Sequence, residues 1–305
     1  MVPKGLAEGP APHRQSHAKM PTMATIVVGV DGSQGAAEAL RWAVDEGKVR
    51  HQPVVAVMAW GLLEQHQTVT GADFDPTYGE PEATAALDKA ITTALGADAA
   101  TITDRLVVLD LAPAALLAAA GPEDLLVVGA RGLGGFTGLL VGSVSRKVLS
   151  QAHGPVAVVR PATGATGPVV VGVDGSDAGR HALAWALEEG RARGVTVRVV
   201  HGWSAPFVGA YPFGGATFEP GLFEDSAREV LDTVLADVDT SGIDVSKELI
   251  YGTGASALLE MAAEAAVVVV GTRGLGGIKS WLLGSVSHQV VHHAPCTVVV
   301  VPHAS

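Results

Sequence analysis

Apolar residues along this chain fall into short, nearly unbroken runs separated by longer stretches of helical period. One set of runs lies near 25–30, 53–60, 104–109, 124–129 and 155–159, and a second near 169–173, 195–203, 244–251, 266–271 and 296–301. Continuous Val-rich runs of this length read as strands buried on both faces, the mark of a parallel sheet. Between them, Ala39–Gly47 and Ala182–Gly190 repeat apolar positions at the 3.6-residue period and end in glycine, the usual C-terminal stop. Each set orders its elements as β-α-β-loop-α-β-α-β-loop-α-β. Right-handed crossovers turn such a string into a three-layer domain. The pattern predicts two tandem doubly wound parallel five-stranded sheets, flavodoxin- or Rossmann-like with strand order 3-2-1-4-5 and helices on both faces.

The two sets are copies of one unit. Asp31-Gly32-Ser33 after the first strand returns as Asp174-Gly175-Ser176, and the helix carrying Trp42 returns as the helix carrying Trp185, both at an offset of 143. Further along, Gly129-Ala130-Arg131-Gly132 and Gly142-Ser143-Val144-Ser145 return as Gly271-Thr272-Arg273-Gly274 and Gly284-Ser285-Val286-Ser287, at an offset of 142. Self-similarity over most of a chain is a duplication. It divides the chain into a first domain at 23–160, a linker at 161–167 and a second domain at 168–305. Residues 1–22 hold Pro, Gly, His and scattered basic residues without an apolar period. They read as a disordered N-terminal extension lacking the apolar core of a secretory signal, with Met20 and Met23 as alternative starts.

With 305 residues, 48% of them apolar, there is length for two separate cores. No apolar stretch is long and uninterrupted enough to span a bilayer. The net charge of −11 disfavours a generic nucleic-acid binder, which would carry a basic face, but leaves a small phosphate ligand open. The single cysteine, Cys296, excludes an intrachain disulfide and fits a reducing compartment, so the expected location is cytoplasmic.

The repeated segments carry the candidate chemistry. In a doubly wound sheet, ligands bind at the carboxyl ends of the strands where the strand order reverses. The first and fourth strands flank that point, so Gly29, Val30 and Asp31 should meet the segment that begins at Gly129. Gly132, Gly134 and Gly135 permit close backbone approach. Amides of that loop and of Gly142 and Ser143, at the start of a helix, would face phosphate oxygens, with hydroxyls from Ser143 and Ser145 beside them. Asp31, on the far side, is placed to accept from an adenine amino group or a ribose hydroxyl. The second copy repeats the set with Gly172, Val173, Asp174, Gly271, Thr272, Gly274, Gly276, Gly277, Gly284, Ser285, Val286 and Ser287. Taken singly, Asp-Gly-Ser is often a turn with an N-cap, and Gly-x-x-Gly is often a plain loop. Recurrence of both in register favours the ligand. Arg131 and Arg273 read as solvated loop residues, with phosphate contact as the alternative.

Strand–Asp-Gly-Ser together with Gly-2x-Gly-9x-Gly-Ser resembles the ATP-binding class of universal stress proteins over about 23–160 and 168–302. The tandem arrangement resembles the actinobacterial members, mycobacterial ones among them. That resemblance implies ATP as ligand, with or without Mg2+, adenine contact by Asp31 and Asp174, and phosphate cradling by Gly129, Gly132, Gly142 and Ser143 and by Gly271, Gly274, Gly284 and Ser285. It also implies homodimer pairing through the fifth-strand edges, Val156–Val159 and Val298–Val301, and a protein partner of unknown kind. Family members often place a glycine after the third strand. Gly252 fits, but Asp110 stands there in the first copy, which predicts unequal sites with the first the weaker.

Other constellations carry less. His288 and His292 stand one helical turn apart with His293 following, a metal-like spacing with no obvious third ligand. Cys296 reads as a small packed residue, and Trp42 and Trp185 as core. No Gly-x4-Gly-Lys-Ser/Thr loop and no Gly-x-Ser-x-Gly elbow occurs, and no second carboxylate stands beside Ser143 to hold Mg2+. Phosphoryl transfer needs charge-neutralising cations and a placed nucleophile. No catalytic residue is assigned. The reading is an ATP-binding stress-response regulatory protein with two nucleotide sites, the nucleotide acting as a switch. A slow ATPase or phosphotransferase, or an assembly protein with a structural nucleotide, are the alternatives. The unmatched loops 61–82 and 204–220 are where the copies specialise, as lids or partner contacts.

Overall fold

The computed structural model describes residues 24–61, 79–133, 140–161, 167–204, 220–272 and 283–302. The N-terminal extension, the centres of both long loops and most of the linker lie outside them.

The first half runs β1 (Ile26–Gly29), α1 (Gln34–Arg50), β2 (Val54–Trp60), α2 (Glu80–Leu95), β3 (Ile102–Leu109), α3 (Ala112–Ala119), β4 (Leu125–Gly129), α4 (Ser143–Gln151) and β5 (Val156–Val159). The second runs β6 (Val169–Gly172), α5 (Asp177–Arg193), β7 (Val197–Trp203), α6 (Pro220–Ala236), β8 (Val245–Tyr251), α7 (Gly254–Met261), β9 (Val267–Gly271), α8 (Ser285–His293) and β10 (Thr297–Val301). Each half has the expected order 3-2-1-4-5 with parallel neighbours.

The halves do not remain separate sheets. β5 and β10 pair antiparallel, Val158 opposite Val298 and Val156 opposite Val300, giving one ten-stranded sheet. This corrects the expectation of a homodimer through the fifth-strand edges, because that pairing is made within the chain. The reason is tethering: two edges on one chain meet at a high effective concentration, and once paired neither offers free backbone groups to another copy. The seam is dry, with Val156, Ala157, Val158, Val298, Val299 and Val300 all buried.

Strand alternation sends Ile26, Val28, Val169 and Val171 to one face, under α1, α2, α5 and α6, and Val27 and Val170 to the other, under α3, α4, α7 and α8. Each such buried Val, Leu or Ile stabilises the fold by about 1.5–3 kcal/mol relative to exposure.

Helices α1 and α5 begin as the sequence predicts. Ser33 accepts from the Ala36 amide and Ser176 from the Gly179 amide, each at 3.1 Å. Their C-termini depart from expectation. Both helices continue past Gly47 and Gly190 to Arg50 and Arg193, so those glycines are not stops. They lie in helix interiors where the helix presses on the sheet. A Cβ at Gly47 would stand 2.6 Å from a Val54 methyl, and one at Gly190 would stand 2.4 Å from a Val197 methyl.

The extra turn brings Arg50 and Arg193 into a polar link between the halves. Glu46 and Glu189 are fully buried, and Arg50 and Arg193 each pair with both of them. Arg50 holds Glu189 at 2.6 Å and also lies 4.4 Å over the Trp185 ring. The four residues form a closed ring about the pseudo-twofold, one acid and one base from each copy. Glu46 is pushed up to about 7, chiefly by burial and then by the charge of Glu189. Burial also acts on Glu189, but hydrogen bonding with Glu46 and the charges of Arg193 and Arg50 outweigh it and hold that carboxyl low. The pair titrates as a unit.

Candidate functional site

The segments joined by repetition meet in space. β1 ends at Gly29, and the turn after it presents Asp31, whose Oδ1 accepts from the Ser33 amide at 2.9 Å. Its Oδ2 accepts from the Leu133 amide at 3.1 Å, across 102 residues of chain. The carboxylate expected on the far side of the site therefore braces the glycine loop itself. Gly132 is the point of contact, since a Cβ there would stand 2.4 Å from Asp31 Oδ2.

From β4 the chain is steered by backbone bonds. Ala130 donates to the Val159 carbonyl at 2.8 Å, and Gly142 donates to the Ala130 carbonyl at 2.8 Å. Together they return the chain to the start of α4. Gly142 is the N-cap and makes no side-chain cap bond. The first amides of α4 are thus left to a ligand or solvent, at the positive end of the helix dipole. Ser143 is exposed at this end. Ser145 is buried, and its hydroxyl donates to the Gly129 carbonyl at 2.8 Å, so it pins the helix to the loop where the sequence suggested a free phosphate donor.

Around these elements lies a cavity of about 300 Å³. Val57, Ala59, Ala112, Leu116 and Val128 give it apolar lining. Asp31, Ser33, Arg131, Gly132, Gly142, Ser143 and Arg146 give it polar lining. Gly29, Val30, Ala36, Gly129, Val144 and Ser145 complete the lining. Such a space is at the lower end of the ~300–1,000 Å³ typical of small-molecule sites. It suits a ligand with an apolar planar end and an anionic end. Of the expected residues, Gly134 and Gly135 lie outside the described residues. Ala130 is buried behind the loop.

The second copy repeats the frame. Asp174 Oδ1 accepts from the amide and the hydroxyl of Ser176, at 3.1 and 2.5 Å. Thr272 donates to the Val301 carbonyl at 3.0 Å and Gly284 to the Thr272 carbonyl at 2.8 Å. Gly284 caps α8 without a side-chain bond, and Ser287 donates to the carbonyls of Thr272 and Gly284. Gly172, Val173, Gly271, Ser285 and Val286 occupy the same places as their first-copy counterparts. Arg273, Gly274, Gly276 and Gly277 lie outside the described residues.

After the third strand the copies differ as the sequence indicated. Gly252 has φ +148°, a conformation that favours glycine, and the next residue, Thr253, caps α7 through the Ser256 amide. Asp110 is exposed and its Oδ1 accepts from the Leu111 amide at 2.6 Å. It is not part of the cavity lining, so its carboxylate does not confront a ligand there.

Sequence reasoning missed Ser33, Ala36, Val57, Ala59, Ala112, Leu116, Val128 and Arg146. Ser33 was legible, as the third residue of the Asp-Gly-Ser turn. Val57 and Ala59 were legible only as alternate positions at the carboxyl end of β2. Cys296 is buried, and burial pushes its thiol up to about 11. It is packed core rather than a nucleophile. Trp42 and Trp185 are half-buried against the core. Among the described residues no His, Cys, Asp and Glu group is placed to hold a metal ion, and no helix is long and apolar enough to cross a membrane.

Comparison with known proteins agrees with this architecture. The universal stress protein family model matches residues 23–160 and again 166–302. A universal stress protein of Mycobacterium tuberculosis is 33% identical over 298 residues, covering 90% of this chain and 94% of its own length. One from Mycolicibacterium smegmatis is 32% identical over 292 residues, covering 90% and 96%. Among solved structures, a universal stress protein from Archaeoglobus fulgidus superposes with a TM-score of 0.65 at 20% identity, covering 92% of this chain and 98% of its own. A putative one from Pseudomonas aeruginosa gives 0.61 at 17% identity, covering 92% and 93%. At those identities the structures establish the shared fold. The chain is a tandem member of the universal stress protein family.

Proposed function

We propose that this protein binds ATP at two sites, one per copy, and that the nucleotide acts as a regulatory ligand in a stress response rather than as a substrate. The observation that carries the reading is the cavity beside Asp31. Apolar Val57, Ala59, Ala112 and Leu116 line it together with the uncapped start of α4 and the Gly132 loop. The first would receive a base and the second its phosphates. Repetition of the Asp174, Gly271 and Gly284 frame supports a second site.

The role as ligand is supported by the chemistry of the lining. Asp31 is the one carboxylate among the described lining residues, and both its oxygens already accept backbone amides. Among the described lining residues no further acid stands beside Ser143 to hold Mg2+ or to activate a nucleophile for transfer. Nucleotide would instead act as a ligand that changes what the protein presents to a partner.

Titration calorimetry of nucleotide-stripped protein tests this. ATP should bind at up to two sites per chain. Gly132→Ala should remove the first, because its Cβ would stand 2.4 Å from Asp31 Oδ2 and must displace the loop or the carboxylate. Absence of ATP binding to the unaltered chain would reject the reading.

A further inference from the structure

The arginines of this acidic protein are almost all engaged. Among the described residues, each arginine outside the cavity donates a hydrogen bond to a carboxylate or a carbonyl. Arg131 and Arg146 make no such bond there, and both line the 300 Å³ cavity. In a chain with a net charge of −11, two guanidiniums at one cavity without a carboxylate partner among the described residues favour an external anion there.

Their placement fits the frame around them. Arg131 lies in the glycine loop, and Arg146 is on α4, with its own amide donating to the Gly142 carbonyl. Both are exposed enough to reach a ligand at the uncapped helix end. Nearby, Arg160 keeps Nη1 buried with no acceptor among the described residues. Burial first, and the positive charge of Arg131 with it, lower the proton affinity of Arg160. Positive potential therefore accumulates at this end of the sheet.

The second copy differs at one of these two positions. Arg131 corresponds to Arg273, but Arg146 corresponds to His288, at the same step of an equally long helix. A guanidinium is permanently charged and matches phosphate geometry in a bidentate fork, which an imidazole does not.

We propose that Arg146, with Arg131, binds the outer phosphates of the nucleotide in the first copy, so that this site discriminates triphosphate from monophosphate while the second copy does not. This rests on the nucleotide reading above. It also reverses the ranking expected from Asp110, making the first site the tighter one for ATP.

Equilibrium dialysis of nucleotide-stripped full-length protein with ATP and with AMP tests it, with thermal melts confirming the fold of each variant. The unaltered chain should show one site that prefers ATP over AMP by about tenfold or more, the size of one charge-assisted hydrogen bond. Arg146→Gln should abolish that preference by weakening ATP about tenfold while AMP changes less than about twofold. His288→Arg should raise the number of ATP-preferring sites from one to two. An unchanged ATP-to-AMP ratio in Arg146→Gln, an equal loss for both nucleotides, or no gain in His288→Arg overturns the proposal and leaves nucleotide binding standing. If the unaltered chain binds neither ATP nor AMP, the nucleotide reading itself falls and takes this one with it.

Discussion

The ring of Glu46, Arg50, Glu189 and Arg193 makes a quantitative prediction about how the two halves are held together. Arg50→Met keeps most of the side-chain volume and removes the charge. The substitution breaks the pairings with Glu46 and with Glu189 at 2.6 Å and removes the cation from the Trp185 face. Two fully buried carboxyls are then left with one guanidinium. Removing one partner from a buried ion pair typically costs about 3–5 kcal/mol. At about 1.6 °C per kcal/mol for a chain of 305 residues, the melting temperature at pH 8 should fall by about 5–8 °C. The pH dependence gives a second handle. Glu46 holds its proton up to about 7 in the folded protein against 4.5 ordinarily. Its folded value is raised, so its contribution is complete below pH 4.5 and is lost as pH rises through 7. The span, shared by the coupled Glu46–Glu189 pair, is of the order of a few kcal/mol. Glu189 is held low, and its contribution is lost only as pH falls below the usual carboxylate range, outside that window. Stability of the unaltered protein should therefore decline between pH 5 and 7.5, and Glu46→Gln should flatten that decline. The deficit of Arg50→Met should shrink toward pH 5.5, where the excess carboxylate takes up a proton. Differential scanning calorimetry across this range decides it. An Arg50→Met midpoint within about 2 °C of the parent at pH 8, or an unchanged slope in Glu46→Gln, refutes the reasoning.

Two further outcomes follow from packing. Gly47→Ala should destabilise the fold by about 1–2 kcal/mol in urea unfolding even though alanine favours a helix by about 1 kcal/mol, because its Cβ would stand 2.6 Å from a Val54 methyl; a more stable variant would show that α1 can lift off the sheet without cost. Cys296, buried and with its thiol at about 11, should react with a disulfide reagent at pH 8 only after urea is added, and rapid labelling of the native protein would contradict its packing.

Much of the fold was legible because the strands are Val runs with little competing signal. All ten observed strands lie within about two residues of the positions read from the runs, and each half takes the expected strand order. The helix ends were not legible at Gly47 and Gly190. A glycine late in a helix reads as a stop from sequence, and only the 2.4–2.6 Å approach to β2 and β7 shows it to be a packing residue. The ring escaped for the same reason, since Glu46 and Arg50 look like a solvated helix face. A signal was nonetheless present. Glu46 with Glu189 and Arg50 with Arg193 match at the repeat offset, alongside the apolar positions such as Leu40 with Leu183 and Trp42 with Trp185. Pairing along the fifth strands was anticipated, but a sequence does not say whether two such edges belong to one chain or two. In the site, the turn at Asp31 and the glycine segments came together as spacing implied. Arg146 lay beyond the repeated motif and had no signature except its replacement by His288. The contributions of Gly134, Gly135, Gly274, Gly276 and Gly277 lie outside the described residues.

The central claim is that each copy holds an adenine nucleotide. Its most direct test is to denature protein purified under native conditions and to identify and count the released nucleotide by chromatography and mass spectrometry. The account predicts ATP, or its breakdown products, at between one and two molecules per chain, falling by one in Gly132→Ala. Protein that releases no adenine nucleotide, and takes up none when ATP is supplied, would contradict it.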